Sequence, residues 1–172
     1  HLNAFYDLTT HTYTDALIQP IHRKNEFGAF CDIVDRHEIQ EGRKNVYIGD
    51  RGYCSYNNMA HVLEQNQFFL FRTKDIHSKG LVSNFDFPEE DSFDIDVRVT
   101  LVRSHSRKVP ANPDTYKRFV DKASTFDYID YGSYDTYELA YRIIRFPLNE
   151  STYECIVTNL PRDEFPPEHI KE

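Results

Sequence analysis

The sequence predicts an α/β fold built on a mixed β-sheet. Up to Arg72, strand-like and helix-like patterns follow one another in the order β-β-α-β-α-β. Gln67 to Arg72 is almost continuously apolar, which is typical of a strand in a sheet covered on both faces. From Lys79 onward the pattern changes, and strict alternation from Phe93 to Leu101 indicates an added β-rich segment.

A β-hairpin opens the chain. Leu2 to Leu8 alternates apolar and polar residues, and Tyr13 to Gln19 returns as a second strand after a turn at Thr9 to Thr12. Pro20, which has no backbone N–H to donate, ends the second strand.

Two helices follow, and each has a polar residue that can cap its amino terminus. Asn25 precedes a helix that extends to Arg36 and carries apolar residues at i, i+3, i+4 and i+7 spacing. Ser55 precedes a second helix that extends to Gln65. We expect both helices to flank the sheet and the short apolar strand Val46 to Ile48, which lies between them in the chain, to be a central strand of the sheet with Asp50 at its end.

The segment from Lys79 to Leu160 is expected to form a largely β subdomain packed against this core. The alternation of apolar and polar residues from Phe93 to Leu101 predicts a strand with one buried face and one solvent-exposed face. Thr115 to Ala123 is expected to form a short helix. Further strands are predicted at residues 126–131, 137–146 and 153–158.

Composition limits the class of protein. The chain has 172 residues, no apolar run approaching the roughly 20 residues of a membrane span, and no signal-peptide pattern. Cys31, Cys54 and Cys155 are isolated and form no zinc-type pair, so reduced cytoplasmic thiols are expected. Because the chain begins at His1 and ends just as a helix starts, we expect it to be an internal fragment.

The charge distribution is uneven. A net charge of −8 argues against a generic nucleic-acid binder. Asp86 to Asp96 holds six acids and no base, whereas Arg98 to Lys108 holds four bases and no acid. An acidic chain can still bind nucleic acid if separate segments supply most of the phosphate contacts.

The stretch from Asn45 to Tyr53 carries the main candidate for chemistry. Gly49 ends a short strand, so Asp50 falls at the carboxyl tip, where α/β sheets place ligand-binding side chains. A carboxylate held there can bind a hard divalent cation. An aspartate that only caps the turn is the alternative reading.

The residues Asp50-Arg51-Gly52-Tyr53, placed after a strand and before a helix, resemble the second-aspartate motif of DDE transposases in the insertion-sequence-four family. The resemblance covers most of the chain. Further similar segments, in order, are His1–Leu8, Ile18–Pro20, Lys24–Glu26, Phe69–Arg72, Thr100–Arg103 and Ile156–Pro161.

This resemblance implies a ribonuclease-H-like mixed sheet that lacks its first strand and last helix and carries a β-rich insertion. Residues 1–78 would form the partial catalytic core, 79–160 the insertion, and 161–172 the start of the helix leading to the catalytic glutamate. The first catalytic aspartate would lie before His1 and the glutamate beyond Glu172.

The resemblance also implies a function, which is to cleave and join DNA at transposon ends by two-metal phosphoryl transfer. Asp50 would be the second catalytic carboxylate and a ligand of Mg²⁺, with Mn²⁺ as an alternative. The implied partners are transposon ends, target DNA and, in the synaptic complex, a second copy of the protein. The implied location is the bacterial cytoplasm, in association with the nucleoid and not with a membrane.

Arg51, Arg72, Lys74 and Arg103 are candidates for phosphate contacts, and a solvated surface is the alternative for each. Asp7 is a weaker candidate for a second carboxylate, and an ordinary acid on the sheet face is favoured there. Two other functions remain open: a decayed or domesticated transposase remnant that acts as a non-catalytic binding module, and a ribonuclease-H-like nuclease.

Overall fold

A computed structural model describes residues 1–39 and 41–171 of the chain. A short 3-10 turn at Ile21–Arg23 precedes the first helix. None of the helices in these two ranges has both the length and the apolar character needed to cross a membrane. The elements are β1 (Leu2–Asp7), β2 (Thr12–Ile18), α1 (Glu26–Arg36), β3 (Val46–Gly49), α2 (Tyr56–Glu64), β4 (Phe68–Thr73), β5 (Phe93–Val102), β6 (Tyr116–Phe119), β7 (Thr136–Pro147), β8 (Tyr153–Thr158) and α3 (Pro167–Lys171).

The strands form two sheets. β1 and β2 make an antiparallel hairpin, and the other strands make a six-stranded sheet in the order β3-β4-β8-β7-β5-β6. Parallel pairing occurs between β3 and β4 and between β5 and β6, and the remaining pairs are antiparallel. The mixed sheet with helices confirms the predicted α/β class.

Both predicted helices form, and their caps explain where they begin. The Asn25 side chain accepts a hydrogen bond from the Gly28 N–H at 3.0 Å, and the Ser55 hydroxyl accepts one from the Asn58 N–H at 3.1 Å. Each bond satisfies a backbone donor that the first turn of a helix leaves unpaired.

The main core lies between these helices and the inner face of the sheet. Phe69 and Phe71 on β4 are completely buried, and the Phe71 ring packs 5.7 Å from the Phe30 ring of α1. Leu70 points to the opposite face, where it joins a small cluster with Ile144, Phe146, Ile156 and Ile170 of α3. In the described part of the chain, the helices cover one face of β4 and only this small cluster covers the other. The apolar run had predicted a strand covered on both faces.

The strand that precedes Asp50 lies at an edge of the six-stranded sheet, so its expected central position is not observed. The hairpin is not hydrogen-bonded to it, but the two share one core, because the rings of Phe5 on β1 and Tyr47 on β3 are 5.5 Å apart. Both elements therefore present a free backbone edge within residues 1–39 and 41–171.

The segment after Lys79 is largely β, as predicted, but two local expectations are wrong. Tyr116–Phe119 forms β6 instead of a helix, and residues 126–131 form turns instead of a strand. The segment also shares one sheet with the first half, because β8 pairs with β4. The boundaries 1–78, 79–160 and 161–172 stay a prediction, and the sheet runs across the first of them.

A buried histidine links both helices to the loop before β7. His61 of α2 is 7% exposed; its Nδ1 lies 2.8 Å from an Asp35 oxygen on α1, and its Nε2 lies 2.9 Å from an Asp127 oxygen. The Cys31 thiol raises the pKa of His61, burial lowers it, and the two carboxylates raise it further, to about 10. The folded protein therefore holds an imidazolium between two carboxylates.

We predict that this cluster makes stability depend on pH. The pKa of His61 is about 10 in the folded protein and 6.5 in the unfolded chain, so the stabilisation is complete below pH 6.5 and is lost as pH rises through about 10. The free energy of unfolding should fall by about 1.5–3 kcal/mol over that window. Urea unfolding at a series of pH values measures it. The fall should be absent in His61→Gln and retained in the exposed-site control His22→Gln, and an equal fall in both variants would contradict the assignment.

Candidate active site

Asp50 stands directly after β3, on a turn that holds its carboxylate in place. Oδ1 accepts a hydrogen bond from the Gly52 N–H at 2.9 Å, and the Asp50 carbonyl accepts one from the Tyr53 N–H at 3.0 Å. A Cβ at Gly52 would lie 3.1 Å from Oδ1, and one at Gly49 would lie 3.0 Å from the Tyr53 Cβ. Both positions therefore leave little room for a side chain. The Asp50 side chain is exposed, so the turn fixes the carboxylate without covering it.

The sheet register brings three strand ends together beside Asp50. β3 and β4 run parallel with Gly49 opposite Phe71, and β4 and β8 run antiparallel with Thr73 opposite Cys155. The carboxyl ends of β3 and β4 therefore meet the amino end of β8. Side chains from distant parts of the sequence are collected at this edge of the sheet.

A buried carboxylate organises the basic residues at this edge. The Glu154 side chain is 7% exposed, and its Oε2 accepts a hydrogen bond from Arg72 Nη2 at 2.6 Å. Its Oε1 lies 3.7 Å from Arg51 Nη2 and has no hydrogen-bond partner among the described residues. The Glu154 carboxylate raises the pKa of the Arg72 guanidinium, with a smaller contribution from Asp50. Glu154 thus fixes the position of Arg72 through a hydrogen bond, whereas it makes only a longer ionic contact with Arg51.

Next to Arg51 the surface opens into a groove with a volume of about 640 Å³, which we call the basic groove. Its one acid, Asp75, accepts hydrogen bonds from Arg145 at 2.7 and 3.2 Å, so its charge is already balanced. The lining residues are Arg51, Lys74, Asp75, Ser78, Lys79, Ser151, Thr152 and Tyr153.

A family model described as "Transposase DDE domain" matches residues 1–172, the whole chain. The chain belongs to this transposase family. No curated protein and no solved structure gives a significant match. The membership implies DNA binding and transposition by DNA cleavage and joining, and DDE transposase domains generally use divalent metals.

Asp50 offers such a cation a hard oxygen ligand at an open position, which suits Mg²⁺. The rest of a metal site is not assembled around it in this transposase domain. Within residues 1–39 and 41–171, no group of three or more His, Cys, Asp or Glu side chains is arranged to hold a metal ion. Glu154 is close by, but its oxygens face arginines, which disfavour a neighbouring cation.

Asp7 serves the hairpin turn. Its Oδ1 accepts hydrogen bonds from the Thr9 hydroxyl and the Thr9 N–H, both at 2.7 Å, and from the Thr10 N–H at 3.3 Å. The Thr9 hydroxyl, followed by these backbone donors, lowers the pKa of Asp7 to about 2. These bonds give Asp7 a structural role at the end of β1.

Arg103 lies inside the β-rich half of the transposase domain, where it is 9% exposed. Its Nη1 donates to the carbonyls of Phe126 and Ile129, and its Nη2 donates to those of Asp121 and Ser124. These four bonds hold the loop that was expected to be a strand. The guanidinium of Arg103 is thus buried and engaged by backbone carbonyls, so the proposed DNA contacts do not include it.

Four residues at this edge were not predicted from the sequence: Glu154, Lys79, Ser151 and Thr152. Glu154 has one sequence signal, which is that it is a charged residue inside the otherwise uncharged strand Tyr153–Thr158. The others carry no local signal, because they reach the groove from loops that are far apart in the chain.

We predict that Arg72 and Glu154 stabilise the fold as a pair. Arg72→Ala should lower the midpoint of thermal unfolding, because it leaves a buried carboxylate with only a distant arginine. Adding Glu154→Ala should recover part of the loss, since no unpaired charge then remains buried. Circular dichroism melting of the single and double variants tests this, with Arg98→Ala, an exposed arginine of β5, as control. Strictly additive changes would rule out the coupling.

Proposed function

We propose that this transposase domain cleaves and joins DNA at transposon ends by two-metal phosphoryl transfer, with Asp50 as the second catalytic carboxylate. The observation that carries the proposal is the rigid, exposed Asp50 turn at a strand end beside Arg51 and Arg72. The Asp50–Tyr53 motif supports membership of the insertion-sequence-four family. When bound, the cations activate the attacking hydroxyl and stabilise the charge of the in-line displacement; we take Mg²⁺, with Mn²⁺ as an alternative.

Each residue at this edge of the sheet then has a separate role. Asp50 supplies a carboxylate ligand to the metal, and the turn that holds this carboxylate is already formed. Arg51, which is 52% exposed at its side chain, is free to contact a phosphate of the bound strand. Arg72 and Lys74 line the same edge, and Glu154 holds Arg72 in position.

The first catalytic aspartate is proposed to come from a strand that lies between β1 and β3. Each of these two strands has a free edge in the described part of the chain, and both contribute to one core through Phe5 and Tyr47. A strand hydrogen-bonded to both would join the hairpin to the six-stranded sheet. It would also place its own carboxyl end next to Asp50, which is the position that a two-metal site requires.

The catalytic glutamate is proposed to lie on a helix that extends α3 across the outer face of the sheet. Ile170 of α3 already packs on that face against Leu70. Beyond Leu70, the large apolar side chains of Leu2, Tyr6, Ile18 and Ile48 are exposed. A helix that covers them would bury this apolar surface and bring a carboxylate towards Asp50. The chain would then be an internal fragment of a longer transposase.

The complete protein is proposed to act as a homodimer that holds two transposon ends and the target DNA, in the bacterial cytoplasm at the nucleoid. A non-catalytic binding module and a ribonuclease-H-like nuclease are the competing functions. The three differ in whether Asp50 is needed for cleavage and in whether strands are joined afterwards.

In the intact transposase, Asp50→Asn should reduce strand cleavage at least about 100-fold, because it removes a metal ligand whose contribution is several kcal/mol. Binding to transposon ends should change little, since phosphate and base contacts made elsewhere support it. Cleavage and gel-shift assays measure the two effects. Asp32→Asn, an exposed acid on α1, is the matched control. Normal cleavage by Asp50→Asn would make Asp50 only a turn residue.

The 172-residue chain by itself should not nick DNA in Mg²⁺. One carboxylate cannot hold two cations at the separation of about 4 Å that such sites use. Incubation of supercoiled plasmid with the purified chain measures nicking. Metal-dependent nicking that Asp50→Ala removes would show that the described residues already contain the missing ligands.

A further inference from the structure

The basic groove beside Asp50 contains more cationic and hydroxyl groups than the proposed cleavage chemistry uses. Arg51, the chain neighbour of Asp50, lines the groove together with Lys74 and Lys79. Ser151 and Thr152 lie on the turn between β7 and β8 and face the same space. All of these side chains are exposed.

The groove has no uncompensated acid in its lining. Asp75 is bound by Arg145, and the Arg145 guanidinium lies 3.6 Å from the ring centroid of Tyr153. Arg145 is itself 3% exposed, so this ion pair belongs to the wall of the groove. The other charged residues in the lining are Arg51, which lies 3.7 Å from Glu154, and Lys74 and Lys79, within a chain whose net charge is −8.

This combination suits a phosphodiester backbone. Lysine, arginine, serine and threonine side chains supply most protein contacts to nucleic-acid phosphates. A volume of about 640 Å³ in an open groove is large enough for a strand segment instead of a single ion. Because Arg51 directly follows Asp50 in the chain and lines the groove, a strand bound there would pass close to the Asp50 turn.

We propose that the basic groove binds the backbone of the DNA strand that passes Asp50, with Lys74 and Lys79 contacting phosphates beyond the cleavage point and Ser151 and Thr152 donating hydrogen bonds to them. This inference rests on the proposed function and extends it. It assigns Lys79, Ser151 and Thr152 as DNA-binding residues, and it gives the acidic domain a local cationic surface for DNA.

The test is fluorescence anisotropy of the 172-residue chain with a labelled duplex and a labelled single strand of about 20 nucleotides, between about 50 and 200 mM salt. Lys79→Ala should weaken binding several-fold at low salt and reduce the slope of log K against log[salt] by about 0.7–0.9, the loss of one phosphate contact. Ser151→Asp should weaken binding at least as much by adding a negative charge. Lys117→Ala and Lys122→Ala, exposed lysines at and after β6 on the opposite edge of the sheet, are the matched controls and should bind like the unaltered chain.

Several results would overturn the inference. The first is that Lys79→Ala and Ser151→Asp bind DNA with the same affinity and salt slope as the controls. The second is that the unaltered chain does not bind DNA. The third is that polyglutamate competes with the labelled DNA as well as unlabelled DNA does, which would make the groove a general anion site. Failure of the proposed function is separate. If Asp50→Asn cleaves normally while the groove variants still bind weakly, the groove stays a DNA contact and only the catalytic assignment of Asp50 is lost.

Discussion

The antiparallel pairing of β4 with β8 is the contact on which the rest of the structure depends. Leu70 to Thr73 pairs with Cys155 to Thr158, so residues more than 80 positions apart lie side by side. This pairing joins the two halves of the chain into one sheet and buries Glu154 next to Arg72. It also brings the turn before β8 to the ends of β3 and β4, which creates the groove beside Asp50.

Internal ion pairs explain how an acidic chain can present a cationic groove. Several arginines are buried and already neutralised: Arg142 pairs with Asp94 at 2.5 Å, and Arg145 pairs with Asp75 at 2.7 Å. Arg162 on the surface pairs with Asp94 and Asp96. These bases support the sheet and are not available to DNA. Net charge therefore says little about this domain, because the location of the unpaired cations decides where a phosphate can bind.

Local signals in the sequence were sufficient for part of this picture. The caps Asn25 and Ser55 and the apolar spacing of α1 correctly predicted both helices, since capping and helical periodicity act within a few residues. The turn that begins at Asp50 was predicted for the same reason, and Gly49 and Gly52 permit it sterically. Residues 126–131 were assigned wrongly because the bonds that order them come from Arg103, more than 20 residues earlier.

The sequence by itself determined the α/β class, the family resemblance and the place of Asp50 at the end of a strand, all of which follow from short-range patterns. Only the tertiary structure decided that this strand lies at an edge, that Arg103 is buried, and that Glu154 with Lys79 borders the site. The physical reason is that strand order and ion pairing depend on contacts between residues tens of positions apart. A sequence pattern gives each residue's preference for a strand, a helix or burial, but it does not say which partner the residue will meet.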